Sequence, residues 1–194
     1  MRETNTLITP SLETERLKLE PISIKFCSNK YVNWLNDPEI YQYLDNGGNY
    51  TYNSLFEYLN KYTEKPILFW AIIIKEDNTH IGNIKVDPIN KKNQIGEYGI
   101  LMGDKNKWGQ GYAKEATKAV IDYCFKVLEL RKITLGVIKD NITAVKLYQK
   151  LGFETEGIYR MHGIYGGKYC DAIRMALFNM IDPDVQSYLV SKSK

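Results

Sequence analysis

Gly109 and Gly111 stand in the string Trp108-Gly109-Gln110-Gly111-Tyr112-Ala113, between a strand-like segment that ends near Met102 and a long helix-like segment. Two glycines at such a junction leave the backbone bare, so that its N–H groups reach a bound anion while the helix N-terminus adds its dipole. The chemistry of the turn would be phosphate binding, although a purely structural turn needs glycine equally. A P-loop is disfavoured because no Gly-Lys-Ser/Thr follows, and the dinucleotide fingerprint fails at Lys114, where its third glycine belongs. Glu97 is the lone carboxylate within Ile95 to Met102. Burial there would raise its pKa towards that of a general base, and an ordinary exposed strand residue is the alternative. Tyr148 shares a helical stripe with Ala144, Leu147 and Leu151, which by itself describes a core tyrosine with a satisfied hydroxyl. Asn141 is placed to cap the same helix.

These residues need a scaffold, and the chain supplies alternating strand and helix patterns. Arg16 to Glu20 alternates as a first strand, Lys30 to Leu35 and Pro38 to Leu44 read as short helices, the second with Asn36-Asp37 as cap, and Asn53 to Tyr62 is a further helix. Leu68 to Ile74 is a continuous apolar run that turns at Lys75 to Asn78 into a partner strand, His80 to Val86, with Ile95 to Met102 next in the series. From Ala113 to Leu130 the apolar or small positions 113, 116, 117, 120, 121, 124 and 128 recur at helical spacing. Lys132 to Ile138 is β-rich, Thr143 to Leu151 is helical with Gly152 as its stop, and Glu154 to Met161 and Tyr169 to Leu177 form strands around Gly166-Gly167. The pattern predicts one α/β domain over residues 1–194, built on a mostly antiparallel sheet.

Composition excludes several classes of function. Lysine plus arginine (26) against aspartate plus glutamate (23) leaves +3, too mild to mark a nucleic-acid surface. Met1 to Thr14 is polar without an apolar core, and the longest apolar run, Ile67 to Ile74, is too short to cross a bilayer, so no export or membrane anchoring is expected. Cys27, Cys124 and Cys170 are scattered and odd in number, which points to the reduced cytoplasm. No metal is expected, since His80 and His162 lie far apart without partners at ligand spacing, and both are read as structural or exposed.

The string Trp108 to Ala116 resembles the coenzyme A motif R/Q-x-x-G-x-G/A of the GNAT superfamily of N-acetyltransferases, in the form of its RimJ/RimL-like branch, with Trp108 in place of arginine or glutamine. The segment Asn141 to Gly157 is similar to the family block N-x-x-A-x-x-L-Y-x-K-x-G-F, and Thr14 to Pro21 and Ile173 to Leu177 extend the likeness over roughly residues 12 to 180. The resemblance implies a GNAT fold, a twisted mixed sheet of about six to seven strands flanked by helices. It also implies acetyl-CoA as co-substrate and direct attack by a primary amine in a ternary complex. Trp108, Gly109, Gln110, Gly111, Tyr112 and Ala113 would bind the pyrophosphate, with the backbones of Ile100, Leu101 and Met102 on the pantetheine arm and acetyl carbonyl. Asn141 would add a cofactor contact, and Tyr148 would be the general acid for the leaving sulfur.

The acceptor side is less determined. Trp34 and Asn36 lie in an early polar and aromatic cluster, seven of the fifteen tyrosines fall by residue 62, and Tyr165 sits in the late hairpin, all candidates for substrate contact. Three readings stand: acetylation of a protein N-terminus, as RimJ/RimL similarity implies; acetylation of a small amine such as an aminosugar nucleotide or polyamine; and a non-catalytic acyl-CoA-binding module. A monomer or homodimer fits each.

Overall fold

The fold was obtained as a computed structural model, which describes residues 8–44, 47–63, 65 and 67–192. Its strands are β1 (Leu12–Glu13), β2 (Leu17–Pro21), β3 (Leu68–Ile74), β4 (His80–Asn90), β5 (Ile95–Met102), β6 (Lys132–Ile138), β7 (Glu154–Tyr165) and β8 (Lys168–Phe178). Its helices are α1 (Asn29–Asn36), α2 (Pro38–Tyr41), α3 (Tyr52–Thr63), α4 (Tyr112–Lys126), α5 (Ile142–Lys150) and α6 (Pro183–Lys192). The strands form one mixed sheet in the order β1-β2-β3-β4-β5-β6-β8-β7, in which β5 and β6 run parallel. The sheet therefore has eight strands where six to seven were expected, because a two-residue edge strand, β1, adds Leu12 opposite Leu19. Among the described residues no helix is long and apolar enough to cross a membrane.

The described residues group into two compact units, one drawn from Met1–Asp87 and Gly99–Ala116, the other from Pro88–Tyr98 and Thr117–Lys194. In the first, every residue of β3 is buried, and its alternate side chains Phe69, Ala71 and Ile73 share a core with Tyr31, Trp34 and Leu35 of α1, Ile40 of α2 and Leu55 and Leu59 of α3. Burying each large side chain of that set contributes about 1.5–3 kcal/mol. The helices start where the sequence offers caps: Ser28 Oγ accepts the Tyr31 N–H, Asp37 Oδ1 accepts the Glu39 N–H ahead of Pro38, and Thr51 and Ser54 cap each other reciprocally.

In the second unit, Thr117, Val120, Ile121, Cys124 and Phe125 are the buried stripe of α4. That helix ends at Lys126, four residues before the expected Leu130. Glu129 takes a left-handed φ of 52°, the Leu130 N–H closes onto the Cys124 carbonyl, and the Asn179 amide donates to the carbonyls of Phe125 and Leu130. The β7–β8 hairpin turns at Gly166-Gly167, both at positive φ, as their sequence predicts. Helix α6, absent from the sequence reading, opens on Asp182, whose Oδ1 accepts the Asp184 N–H beside Pro183.

Candidate active site

The glycine-rich turn belongs to the first unit and is pinned at both ends. After β5 the chain makes a short 3-10 turn, Lys105–Lys107, capped by Asp104, and the Trp108 indole then folds back so that its Nε1–H donates to the Met102 carbonyl at 2.9 Å. The indole is thus committed to β5, and Trp108 has no arginine-like reach towards a phosphate. Gly109 and Gly111 hold φ of 74° and 83°, the left-handed region that other residues enter at a cost. A Cβ on Gly109 would meet nothing within 4 Å, so backbone conformation and not crowding requires the glycine. Helical bonding starts with the Glu115 N–H on the Gly111 carbonyl, which puts the turn at the helix N-terminus, the end whose dipole favours an anion.

At the far end the turn is fastened by Arg16, just ahead of β2. Its Nη1 donates to the Gln110 carbonyl at 3.0 Å, its Nε and Nη2 meet Glu115 Oε2 at 2.7 and 2.6 Å, and its guanidinium lies 4.4 Å from the centre of the Tyr112 ring. Glu115 Oε1 accepts from the Arg16 N–H at 2.9 Å and the Thr14 hydroxyl at 2.6 Å. Burial alone would push the Glu115 carboxyl up, but these donors and the guanidinium charge outweigh it and hold the pKa below the usual range. Neither Arg16 nor Glu115 was among the expected site residues. The signal was an acid in the first turn of a helix, Glu115, together with a lone arginine in the Thr14-Glu15-Arg16 string, but nothing in the spacing joins them.

Ile100, Leu101 and Met102 close β5. The parallel register with β6 runs only from Ile95↔Lys132 to Glu97↔Thr134, so these three residues lie past its end. Leu101 faces Gly82 of β4 so closely that a Cβ there would come within 2.3 Å of the Leu101 carbonyl oxygen.

In the second unit, α5 presents Tyr148. Asn141 caps that helix through Oδ1, accepting the Ala144 N–H at 3.2 Å, and Gly152 at φ 91° ends it. The Tyr148 ring is buried, edge-on to Tyr98 with centroids 5.9 Å apart and 5.7 Å from Phe153. Its hydroxyl has no protein partner among the described residues. Tyr98 differs, since its hydroxyl is paired with Thr117 at 2.7 Å. Nor is the Tyr148 hydroxyl sealed off: among the described residues the buried side-chain polar atom without a partner is Asn83 Nδ2. Burial pushes the Tyr148 pKa up to about 12, so the group stays protonated and can act as an acid.

Glu97 corrects an expectation. Burial does push its carboxyl up, but hydrogen bonds from Arg174 and Thr134 and the Arg174 charge prevail, and the pKa falls below the ordinary 4.5. Arg174 of β8 reaches across Gly136 of β6 to donate to both Glu97 oxygens at 2.8 and 2.7 Å, and the Thr134 hydroxyl adds a bond of 2.5 Å. A Cβ on Gly136 would stand 2.9 Å from Arg174 Nη1, which explains the glycine. A carboxylate with three donors is a clasp between strands and a weak base. Because its folded pKa lies below the unfolded value, the clasp stabilises fully above about pH 4.5, and that contribution is lost as pH falls through the folded value. Glu97→Gln is expected to lower Tm near neutrality and to flatten the fall of Tm on acidification below that pH. Equal Tm values for variant and wild type across that range would contradict the assignment.

Trp34, Asn36 and Tyr165 each make contacts within the fold. Trp34 is buried and lies against Gly103, where a Cβ would come within 2.0 Å of the indole, and its ring packs on Tyr31 and His80. The Asn36 amide is used on Tyr50, donating to its carbonyl at 2.7 Å and accepting its N–H at 2.8 Å, while Asp37 alone caps α2. Tyr165 folds over its own hairpin, against Gly163. His80 packs among Phe26, Tyr31 and Trp34, and burial there lowers its pKa to about 4.

A sequence profile of the acetyltransferase (GNAT) domain matches residues 16–154, a span that takes in the glycine-rich turn and the α5 block. The chain belongs to the GNAT acetyltransferase family. As a GNAT enzyme it is an acetyl-CoA-dependent N-acetyltransferase, and its mixed sheet is the GNAT fold. It is 31% identical to an uncharacterized N-acetyltransferase, p20, of Bacillus licheniformis over 86% of this chain and 95% of that one. It is 35% identical to the spermidine N(1)-acetyltransferase of Escherichia coli K12 over 106 residues, 55% of this chain and 56% of that enzyme. The crystal structure of spermidine N-acetyltransferase from Vibrio cholerae in complex with CoA and spermine superposes with a TM-score of 0.76 at 25% identity, covering 86% of this chain and 97% of that one. The non-catalytic reading of this GNAT chain therefore gives way to an enzyme.

Proposed function

We propose that the enzyme acetylates a small cationic amine of the polyamine class by direct attack in a ternary complex, with residues 1–194 acting as one acetyltransferase domain. The observation that carries the chemistry is Tyr148: a buried ring whose hydroxyl has no partner among the described residues and a pKa of about 12 is a proton donor held ready, and its role is to protonate the leaving sulfur. Acetyl-CoA supplies the activated acetyl thioester. The turn fits its pyrophosphate, since two left-handed glycines lead into the N-terminus of a 15-residue helix and open space stands beside Gly109. Gly109 to Ala113 would hold that group by backbone. Trp108 contributes through its grip on Met102, and Ile100 to Met102 would offer backbone N–H groups to the acyl arm. Asn141 joins capping to a cofactor contact. Glu97 is given the strand clasp and not proton abstraction, so the amine reaches the site neutral or loses its proton to solvent.

For the acceptor, the support is the spermidine acetyltransferases among the relatives and the tyrosines of the first unit. Burial, then the hydroxyls of Tyr62 and Tyr50 and the Asp87 carboxylate, push the Tyr58 pKa upward, which sets several aromatic hydroxyls and an acid within electrostatic range of one another. Aromatic faces with a carboxylate suit a cation. A protein N-terminus, in the RimJ/RimL manner, is the second reading. It is favoured by an open groove of about 620 Å³ lined by Lys30, Asn33, Trp34, Asp37 and Asn106, among others, whose charges are mutually paired (Lys30 with Asp104, Lys105 with Asp37) and which has room for a peptide. Thiol release from acetyl-CoA, followed with spermidine, aminosugar nucleotides and N-terminal peptides as acceptors, decides. Turnover with polyamines supports the first reading, and turnover with peptides alone replaces it by the second.

A further inference from the structure

We propose that Arg16 is a positioning residue for the donor: it fixes the Gln110–Gly111 peptide plane so that the Gly111 N–H faces the pyrophosphate of acetyl-CoA. The proposal rests on the reading of the turn given above. In a trans peptide the carbonyl oxygen and the amide hydrogen point in opposite directions. The Arg16 Nη1–H holds the Gln110 carbonyl at 3.0 Å, so the Gly111 N–H is directed away from Arg16. Glycine at φ 83° has a shallow backbone landscape, and without a tether that plane is free to rotate.

The tether is itself fixed. Glu115 takes four donors, two from the Arg16 side chain, one from the Arg16 backbone and one from Thr14, while the Tyr112 ring covers the guanidinium. Because the Arg16 charge is matched by Glu115, its contribution to an anionic ligand is orientation and not net charge. The motif position filled by Trp108 is turned to the Met102 carbonyl, and the Gln110 side chain donates back to the Asn106 carbonyl, while Arg16 grips the Gln110 carbonyl itself next to the helix start.

The test compares two ligands by calorimetry: coenzyme A, and pantetheine, which has the same thiol arm without the pyrophosphate and the phosphoadenosine beyond it. Arg16→Ala is expected to weaken coenzyme A binding by about tenfold, the scale of one misdirected charge-assisted hydrogen bond, and to leave pantetheine within about twofold of wild type. Glu115→Gln, which keeps the shape and releases the guanidinium, is expected to act in the same direction to a smaller extent, and it decides the matter if Arg16→Ala does not fold. Unchanged coenzyme A affinity, or equal weakening of both ligands, overturns the positioning role. A wild-type protein that binds coenzyme A no more tightly than pantetheine overturns instead the assignment of the turn to the pyrophosphate.

Discussion

Replacing Tyr148 by phenylalanine is expected to lower kcat by about a hundredfold or more while acetyl-CoA binding and Tm stay close to wild type. The substitution removes one oxygen and keeps the ring against Tyr98 and Phe153. Since that oxygen has no partner among the described residues, its loss orphans no buried group there, and the usual penalty for cutting a structural hydrogen bond does not arise. A core tyrosine with a structural hydroxyl would behave in the opposite way, losing stability and keeping turnover. Steady-state kinetics with a parallel melting curve separate the two, and unchanged kcat would remove Tyr148 from the mechanism. The raised pKa adds a pH expectation: burial keeps the hydroxyl protonated up to about pH 12, so the wild-type rate should rise as the acceptor amine deprotonates, without an alkaline limb from Tyr148 below that pH.

Gly111→Asp is expected to raise the KM for acetyl-CoA by about a hundredfold. Three effects act together. A non-glycine residue at φ 83° is strained by about 1–2 kcal/mol. The new carboxylate stands where an anion should bind, a repulsion added to the strain. The new carboxylate, carried on a Cβ 3.5 Å from Arg16 Nη2, would also compete with Glu115 for the guanidinium. Gly111→Ala isolates the first effect and should cost about tenfold or less. Normal acetyl-CoA affinity in the aspartate variant would contradict the anion cradle.

How much of this was legible in the chain depended on the range over which each feature is encoded. Helix α4 and the turn before it are local: an apolar stripe at helical spacing and two glycines at a strand end state themselves. The α5 block is equally local, with cap, stripe and stop inside twelve residues, Asn141 to Gly152. Partners are not local. Glu97 was read as an isolated carboxylate because its mate, Arg174, is 77 positions away and reaches it over a third strand, which period-two alternation cannot disclose. The Arg16 to Glu115 contact spans 99 positions and was missed for the same reason. The end of α4 was misplaced because Glu129, and not glycine, adopts the left-handed turn. Helix α6 carries the same Asp-Pro start, Asp182-Pro183, that made α2 legible at Asp37-Pro38. Its weak amphipathic pattern left that start without a following stripe.

The tether of Trp108 to Met102 has an optical consequence. Of the three tryptophans, Trp34 and Trp70 are 5% and 0% exposed, whereas Trp108 is 40% exposed and its Nε1–H is held in one orientation. The emission of the folded protein should therefore divide into a blue, shielded pair and a red, water-facing single indole beside the glycine-rich turn. Iodide should quench the red component selectively. A ligand settling on the turn would report its arrival through that one ring, with no label attached.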